Sequence, residues 1–240
     1  MRMRAAIFLA AAVVGIAGSV WTFHRPPASM STVIVGGSAA KGWFDQSGRG
    51  YIERALLSYG NAARVQFRIV NHAIPGARVL NPVVRRHFAD WIPQGRGLVI
   101  IGWGLLNDVR RHTPPGRIGP IVHAEVGAAL RARDVVLLVS PSATRSTFTI
   151  ARHIQPAMWR EEVQAAQSYQ SPNVYVVNVM NPEKRWMLGH HVGYQAFMQG
   201  LWDPNTRGHQ LASRILERRL EETWHNRVPR FRGRNPLSWL

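Results

Sequence analysis

A three-layer α/β/α sandwich on a five-stranded parallel sheet is the fold class this sequence predicts, from three observations. Short runs rich in β-branched residues alternate with segments of helical period along most of the chain. The short runs are apolar throughout, as strands buried on both faces are. The intervening segments are long enough for the crossovers that parallel strands require.

The strands are expected at Thr32 to Gly36, Val65 to Asn71, Gly97 to Gly102, Val135 to Ser140 and Val174 to Val179. Helices are expected at Gly50 to Tyr59, Ala77 to Trp91, Pro120 to Arg133, Ala157 to Tyr169 and, closing the domain, Thr206 to Glu222. Right-handed crossovers between such units give a flavodoxin-like arrangement. In open sheets of this kind ligands bind outside the carboxyl ends of the strands, so the loops after the first three strands matter most.

The flanks differ in composition. Arg2 and Arg4 precede an uncharged apolar run from Ala5 to Phe23, so residues 1–24 are expected to be an export signal with its positive end kept inside. The length of the run favours a retained anchor, whereas Ala17, Gly18 and Ser19 supply the small residues a signal peptidase needs. Residues 25–30, with Pro26 and Pro27, are expected to be a linker, residues 31–223 the globular domain, and residues 224–240 a basic tail. The domain is therefore expected outside the cytoplasm, tethered by the amino-terminal segment or released after cleavage.

The chain has no cysteine, which excludes disulfides as a source of stability, and carries a formal net charge of +17, almost all from arginine. Such a charge favours anionic partners, including envelope polymers and lipid headgroups. The arginines are scattered and no nucleic-acid-binding motif accompanies them, so no nucleic-acid partner is expected.

Each of the first three strands ends in a loop with chemical content. Gly36-Gly37-Ser38-Ala39-Ala40-Lys41-Gly42 puts a hydroxyl at a strand-to-helix turn, where it suits a nucleophile, an anion site or a plain small-residue turn. In Asn71-His72-Ala73-Ile74-Pro75-Gly76, the glycine permits close backbone approach to a ligand. Gly102-Trp103-Gly104-Leu105-Leu106-Asn107-Asp108 brings a side-chain amide to the same crevice.

Taken in order, these segments resemble the SGNH (GDSL-type) hydrolases, which carry Ser, Gly and Asn after strands one, two and three. The resemblance implies that Ser38 is the nucleophile and that Gly76 and Asn107 complete the oxyanion hole. The family's last motif supplies a His base and an Asp that orients it. Here Gly200-Leu201-Trp202-Asp203-Pro204-Asn205-Thr206-Arg207-Gly208-His209 places Asp203 where that His belongs and Gly200 where that Asp belongs. Gly37 also replaces the usual Asp before the serine, and one extra residue separates Gly104 from Asn107.

The candidate bases are therefore Asp203, at the motif position, and His209 on the first turn of the last helix, where a structural role also suits it. His190 and His191 lie upstream on a helix surface. Gly189-His190-His191 and Asp203 match no metal-binding spacing, and no cofactor is implied. Trp43, Phe44, Trp103 and Trp202 fall near the crevice loops, where they can line an acyl or sugar pocket or simply pack. The resemblance implies an esterase or deacetylase acting on small acyl esters or acylated envelope glycans. The altered last motif also leaves open a binding protein that holds an acylated or anionic envelope polymer without turnover.

Overall fold

The computed structural model describes residues 27–114 and 116–233. The expected signal or anchor segment lies outside them. In chain order the elements are β1 (Ala28–Gly36), α1 (Ser38–Lys41), α2 (Gly50–Ala63), β2 (Val65–Asn71), α3 (Pro82–Trp91), β3 (Leu98–Gly102), α4 (Leu106–Arg110) and α5 (Ile118–Arg131). They continue as β4 (Val135–Val139), α6 (Arg145–Phe148), α7 (Ile154–Gln167), β5 (Val174–Val177) and α8 (Met180–Gly189). A single 3-10 turn, Tyr194–Phe197, then leads into β6 (Met198–Gln199), β7 (Asp203–Pro204) and α9 (Thr206–Trp224).

Strands β1 to β5 form one parallel sheet in the order β2-β1-β3-β4-β5, while β6 and β7 make a separate antiparallel pair. The three-layer fold expected from the sequence is thus present. Alternate strand residues point to opposite faces, which splits the core in two. On one face Ile34, Ile100 and Leu137 pack with Ile52 and Leu56 of α2 and Leu216 and Leu220 of α9. On the other, Val35, Ile101 and Leu138 meet Phe88 of α3, Val122 and Val126 of α5, and Trp159 of α7. The sheet order changes direction at β1 and β3, and a crevice opens beyond their carboxyl ends.

Both domain boundaries extend beyond the expected ones. Strand β1 begins at Ala28, because Ala28 to Met30 pair in register with Val65 to Phe67 of β2. Beyond α9, residues expected in a tail are docked. Trp224 is buried against Tyr59, the Tyr59 hydroxyl donates to the Arg227 carbonyl (2.8 Å), and Asn173 exchanges hydrogen bonds with the Arg232 backbone (2.6 and 3.0 Å). Helix α3 starts at Pro82 rather than Ala77, because the Asn81 side chain caps it through the amides of Val83 and Val84.

A carboxylate is buried beneath the third loop. The Trp103 indole N–H donates to Glu125 Oε2 (3.0 Å), and burial raises the Glu125 carboxyl to about 8, offset only in part by that hydrogen bond. Its folded value lies above the unfolded value of about 4.3, so the stability this group contributes is complete at low pH and is lost as pH rises toward 8. Glu125→Gln keeps an acceptor for Trp103 and cannot ionise. Thermal melts between about pH 5 and pH 8 should show a shallower loss of stability in Glu125→Gln, by up to ~1.4 kcal/mol per pH unit. A share of the slope remains in the variant, because burial also raises Glu162 and Glu183.

Candidate active site

Close approach of β1 and β3 sets the serine's position. Gly36 pairs with Gly102, and a Cβ on Gly36 would lie 2.2 Å from the Gly102 carbonyl oxygen. Only a bare backbone fits there. Ser38 therefore opens α1 directly above the sheet, half-buried, with its hydroxyl toward the loop after β2. The Gly76 N–H donates to Ser38 Oγ at 3.0 Å. Gly76 has φ 76°, a left-handed conformation that costs glycine little and aims its amide at the serine.

The third loop brings Asn107 to the same place. Leu105 takes a left-handed conformation (φ 56°) and buries its side chain at the start of α4. Asn107 Nδ2 donates to the Ala77 carbonyl (3.3 Å). Asp108 ties the loops together, accepting from the Val79 amide (3.2 Å) and the Thr113 hydroxyl (2.8 Å). From behind, Gln155 donates to the Gly104 carbonyl (2.8 Å).

The fourth side comes from the β6–β7 hairpin, which carries Trp202 and Asp203. Its base is fixed by Asn205, whose side chain accepts from the Gly208 amide (3.1 Å) and donates to the Ala196 carbonyl (3.1 Å). Gly208 is packed so tightly that a Cβ would meet the Phe197 carbonyl oxygen at 2.3 Å. The Asn and Gly of this motif thus hold the hairpin that presents Asp203.

A cleft of about 400 Å3 results, lined by Ser38, Gly76, Asn107 and Asp203 together with Trp43, Trp202 and Arg110. Burial raises the Asp203 carboxyl to about 6. This lies well above an ordinary aspartate, which ionises near ~3.9 and is a weak base. A carboxylate in this range is half-ionised near pH 6 and takes a proton more readily.

His209 does not line the cleft. It is buried under α2, stacks on Tyr51, and its Nε2 lies 3.0 Å from the Trp43 carbonyl, which makes that nitrogen the donor. Burial holds its imidazole below the ordinary value, with the Trp43 hydrogen bond opposing. Through that hydrogen bond it supports the loop that carries Trp43. His190 stacks on Trp186 at the exposed end of α8, and exposed His191 follows it. No described histidine lines the cleft, and no described group of His, Asp and Glu is arranged to hold a metal.

The four aromatic candidates separate. Trp43 and Trp202 line the cleft and Phe44 is exposed beside Trp43, but Trp103 is buried with its indole on Glu125. Arg110 is the residue that sequence reasoning passed over. It stands three positions after Asn107 on the same short helix, a spacing that puts two side chains on one face.

No protein-family model and no curated protein sequence matches this chain. Solved structures do. One is a catalytic mutant of an acetylxylan esterase from Geobacillus stearothermophilus: TM-score 0.66, 15% identity, covering 88% of this chain and 100% of that one. A lipolytic protein of the G-D-S-L family from Veillonella parvula matches with TM-score 0.59 and 16% identity, over 78% of this chain and 95% of the other. A psychrotrophic esterase from Pseudoalteromonas, in a structure inhibited by monoethylphosphonate, matches with TM-score 0.54 and 17% identity, over 82% and 98%. These neighbours share the three-layer α/β/α fold of the chain. More particularly, it is the fold of the SGNH hydrolase superfamily, to which the GDSL proteins belong.

Proposed function

We propose that this protein is an extracytoplasmic serine ester hydrolase, acting on acyl esters of envelope glycans, with Asp203 in place of the usual histidine. The observation that carries the reading is the convergence of Ser38, Gly76, Asn107 and Asp203 on one cleft, with the Gly76 amide on the Ser38 hydroxyl. Ser38 Oγ attacks the ester carbonyl as its proton passes to the Asp203 carboxylate. The amides of Ser38 and Gly76 and the Asn107 side chain stabilise the tetrahedral oxyanion. Collapse expels the alcohol, which takes the proton from Asp203, and water releases the acyl group by the same steps.

Trp43 and Trp202 give the cleft aromatic walls suited to a sugar ring, and Arg110 adds a cation suited to a glycan bearing acid groups. The acetylxylan esterase among the structural neighbours supports an acylated glycan as substrate. The apolar run from Ala5 to Phe23 supports export and a membrane tether. Among the described residues no helix is long and apolar enough to cross a membrane, so a tether would rest on that run.

A rate profile tests the base. If Asp203 takes the serine proton, kcat/KM for p-nitrophenyl acetate rises from low pH through about 6 and then levels, because the active form is the carboxylate. An inflection near ~6.5 that persists in Asp203→Asn would assign the base to a histidine instead.

A second reading is favoured by the absence of any described imidazole from the cleft. It is a protein that retains the SGNH scaffold and binds an acylated or anionic envelope polymer without turnover. Hydrolysis that depends on Ser38 rejects this reading, whereas polymer binding without hydrolysis supports it.

A further inference from the structure

At the amino ends of the strands, opposite the catalytic cleft, lies a larger concavity of about 600 Å3. Met30, Val228 and Phe231 give it an apolar floor, and Arg96, Arg133 and Arg230 stand around it. Arg96 precedes β3 and Arg133 precedes β4, both in left-handed turns (φ 58° and 62°), and the Arg96 N–H donates to the Arg133 carbonyl at 3.2 Å. Arg230 is brought in by the segment after α9 that Tyr59 and Asn173 hold down.

All three arginines are exposed, and no described carboxylate lies within ion-pair distance of them. The acid nearest in sequence, Asp134, is buried and accepts from the amides of Gly95 (3.0 Å) and Gly97 (2.8 Å). Three exposed arginines that line one concavity, with no ion-pair partner among the described residues, offer an anion several hydrogen-bond donors. The guanidinium fork matches phosphate oxygens in particular, and the apolar floor suits a phosphate carried on a hydrocarbon body.

We propose that this cleft binds the phosphate of an anionic phospholipid headgroup. The choice of lipid over free phosphate rests on reading Ala5 to Phe23 as a bilayer span. Ala28 and Ser29 line the cleft, and only His24, Arg25, Pro26 and Pro27 separate it from the end of the apolar run. Four residues reach at most ~14 Å, which keeps the cleft at headgroup level. The nine residues of β1 then carry Ser38 about 30 Å away at ~3.3 Å per residue. A headgroup held here turns the catalytic cleft from the bilayer toward substrates in the aqueous phase.

The full chain in non-ionic detergent is titrated with dihexanoylphosphatidylglycerol, dihexanoylphosphatidylcholine and inorganic phosphate, followed by calorimetry. The same titrations are made on Arg96→Gln, Arg133→Gln and Arg230→Gln, with circular dichroism melts to confirm folding. Saturable binding of the phosphatidylglycerol, about tenfold weaker in each folded variant, is the expected result. Phosphatidylcholine and inorganic phosphate should bind at least about tenfold more weakly than the phosphatidylglycerol. Equal binding of the two lipids, or binding unchanged in folded variants, overturns the site. Inorganic phosphate binding as tightly as the anionic lipid makes it a free-anion site and overturns the lipid reading. Resistance of the full chain to alkaline extraction from membranes reports separately on the tether, which the micelle titration does not require.

Discussion

Ser38→Ala is expected to reduce kcat/KM for p-nitrophenyl acetate by about 10³-fold or more while leaving the melting temperature nearly unchanged. The hydroxyl's hydrogen-bond partner is the Gly76 amide, which is exposed and can turn to water when the oxygen is removed. Stability is therefore little affected. What is lost is the covalent route, because no other hydroxyl among the described residues lines the cleft. The oxyanion donors remain in the variant and can retain a small acceleration over water. Rates and melts on the same preparations separate loss of chemistry from loss of fold.

Asp203→His is expected to raise kcat/KM at neutral pH by no more than about tenfold, because it exchanges one general base for another whose ordinary value of ~6.5 lies close to the value of about 6 at Asp203. The position is already prepared. Asp203 leads into the β7–α9 turn that Asn205 and Gly208 fix, and its side chain shares the cleft with Ser38. An imidazole ionises near ~6.5, so at neutral pH its free nitrogen is only slightly more basic than a carboxylate raised to about 6. The orienting carboxylate of the usual motif is still missing, since Gly200 occupies its place. The gain should therefore be small. A steady-state comparison at pH near ~7.5 measures it.

How much of this was legible in the sequence differs from element to element. The inner strands were, because Leu98–Gly102 and Val135–Val139 are buried along their whole length and so read as unbroken apolar runs. The start of β1 was not. Ala28, Ser29 and Met30 follow two prolines and have little strand propensity of their own, and it is pairing with β2 that makes them strand. The segment after Trp224 reads as a basic tail, yet Val228 and Phe231 pack against the core, and Tyr59 holds the Arg227 carbonyl from 168 positions earlier. Such contacts leave no local periodicity.

In the site, Ser38, Gly76 and Asn107 were visible because each follows a strand directly, so the sheet topology alone brings them to one edge. The state of Asp203 was not visible. Its raised pKa comes from burial by the hairpin and its surroundings, which composition cannot supply. His209 has the right residue type beside the right motif, but the first turn of α9 directs its ring into the core beneath Trp43. Arg110 was within reach of spacing rules once α4 was recognised, and that helix is too short to announce itself by period.

The measurement closest to the central claim is covalent labelling of the full chain with a p-nitrophenyl alkylphosphonate, followed by peptide mass spectrometry. Serine Oγ displaces p-nitrophenolate at phosphorus, leaving a stable phosphonyl ester. A single adduct on Ser38, absent from Ser38→Ala and forming faster as pH rises through about 6, is the predicted result. A chain that stays unlabelled across that range, or carries its adduct elsewhere with Ser38 free, would contradict a nucleophilic Ser38 and leave the cleft as a binding site.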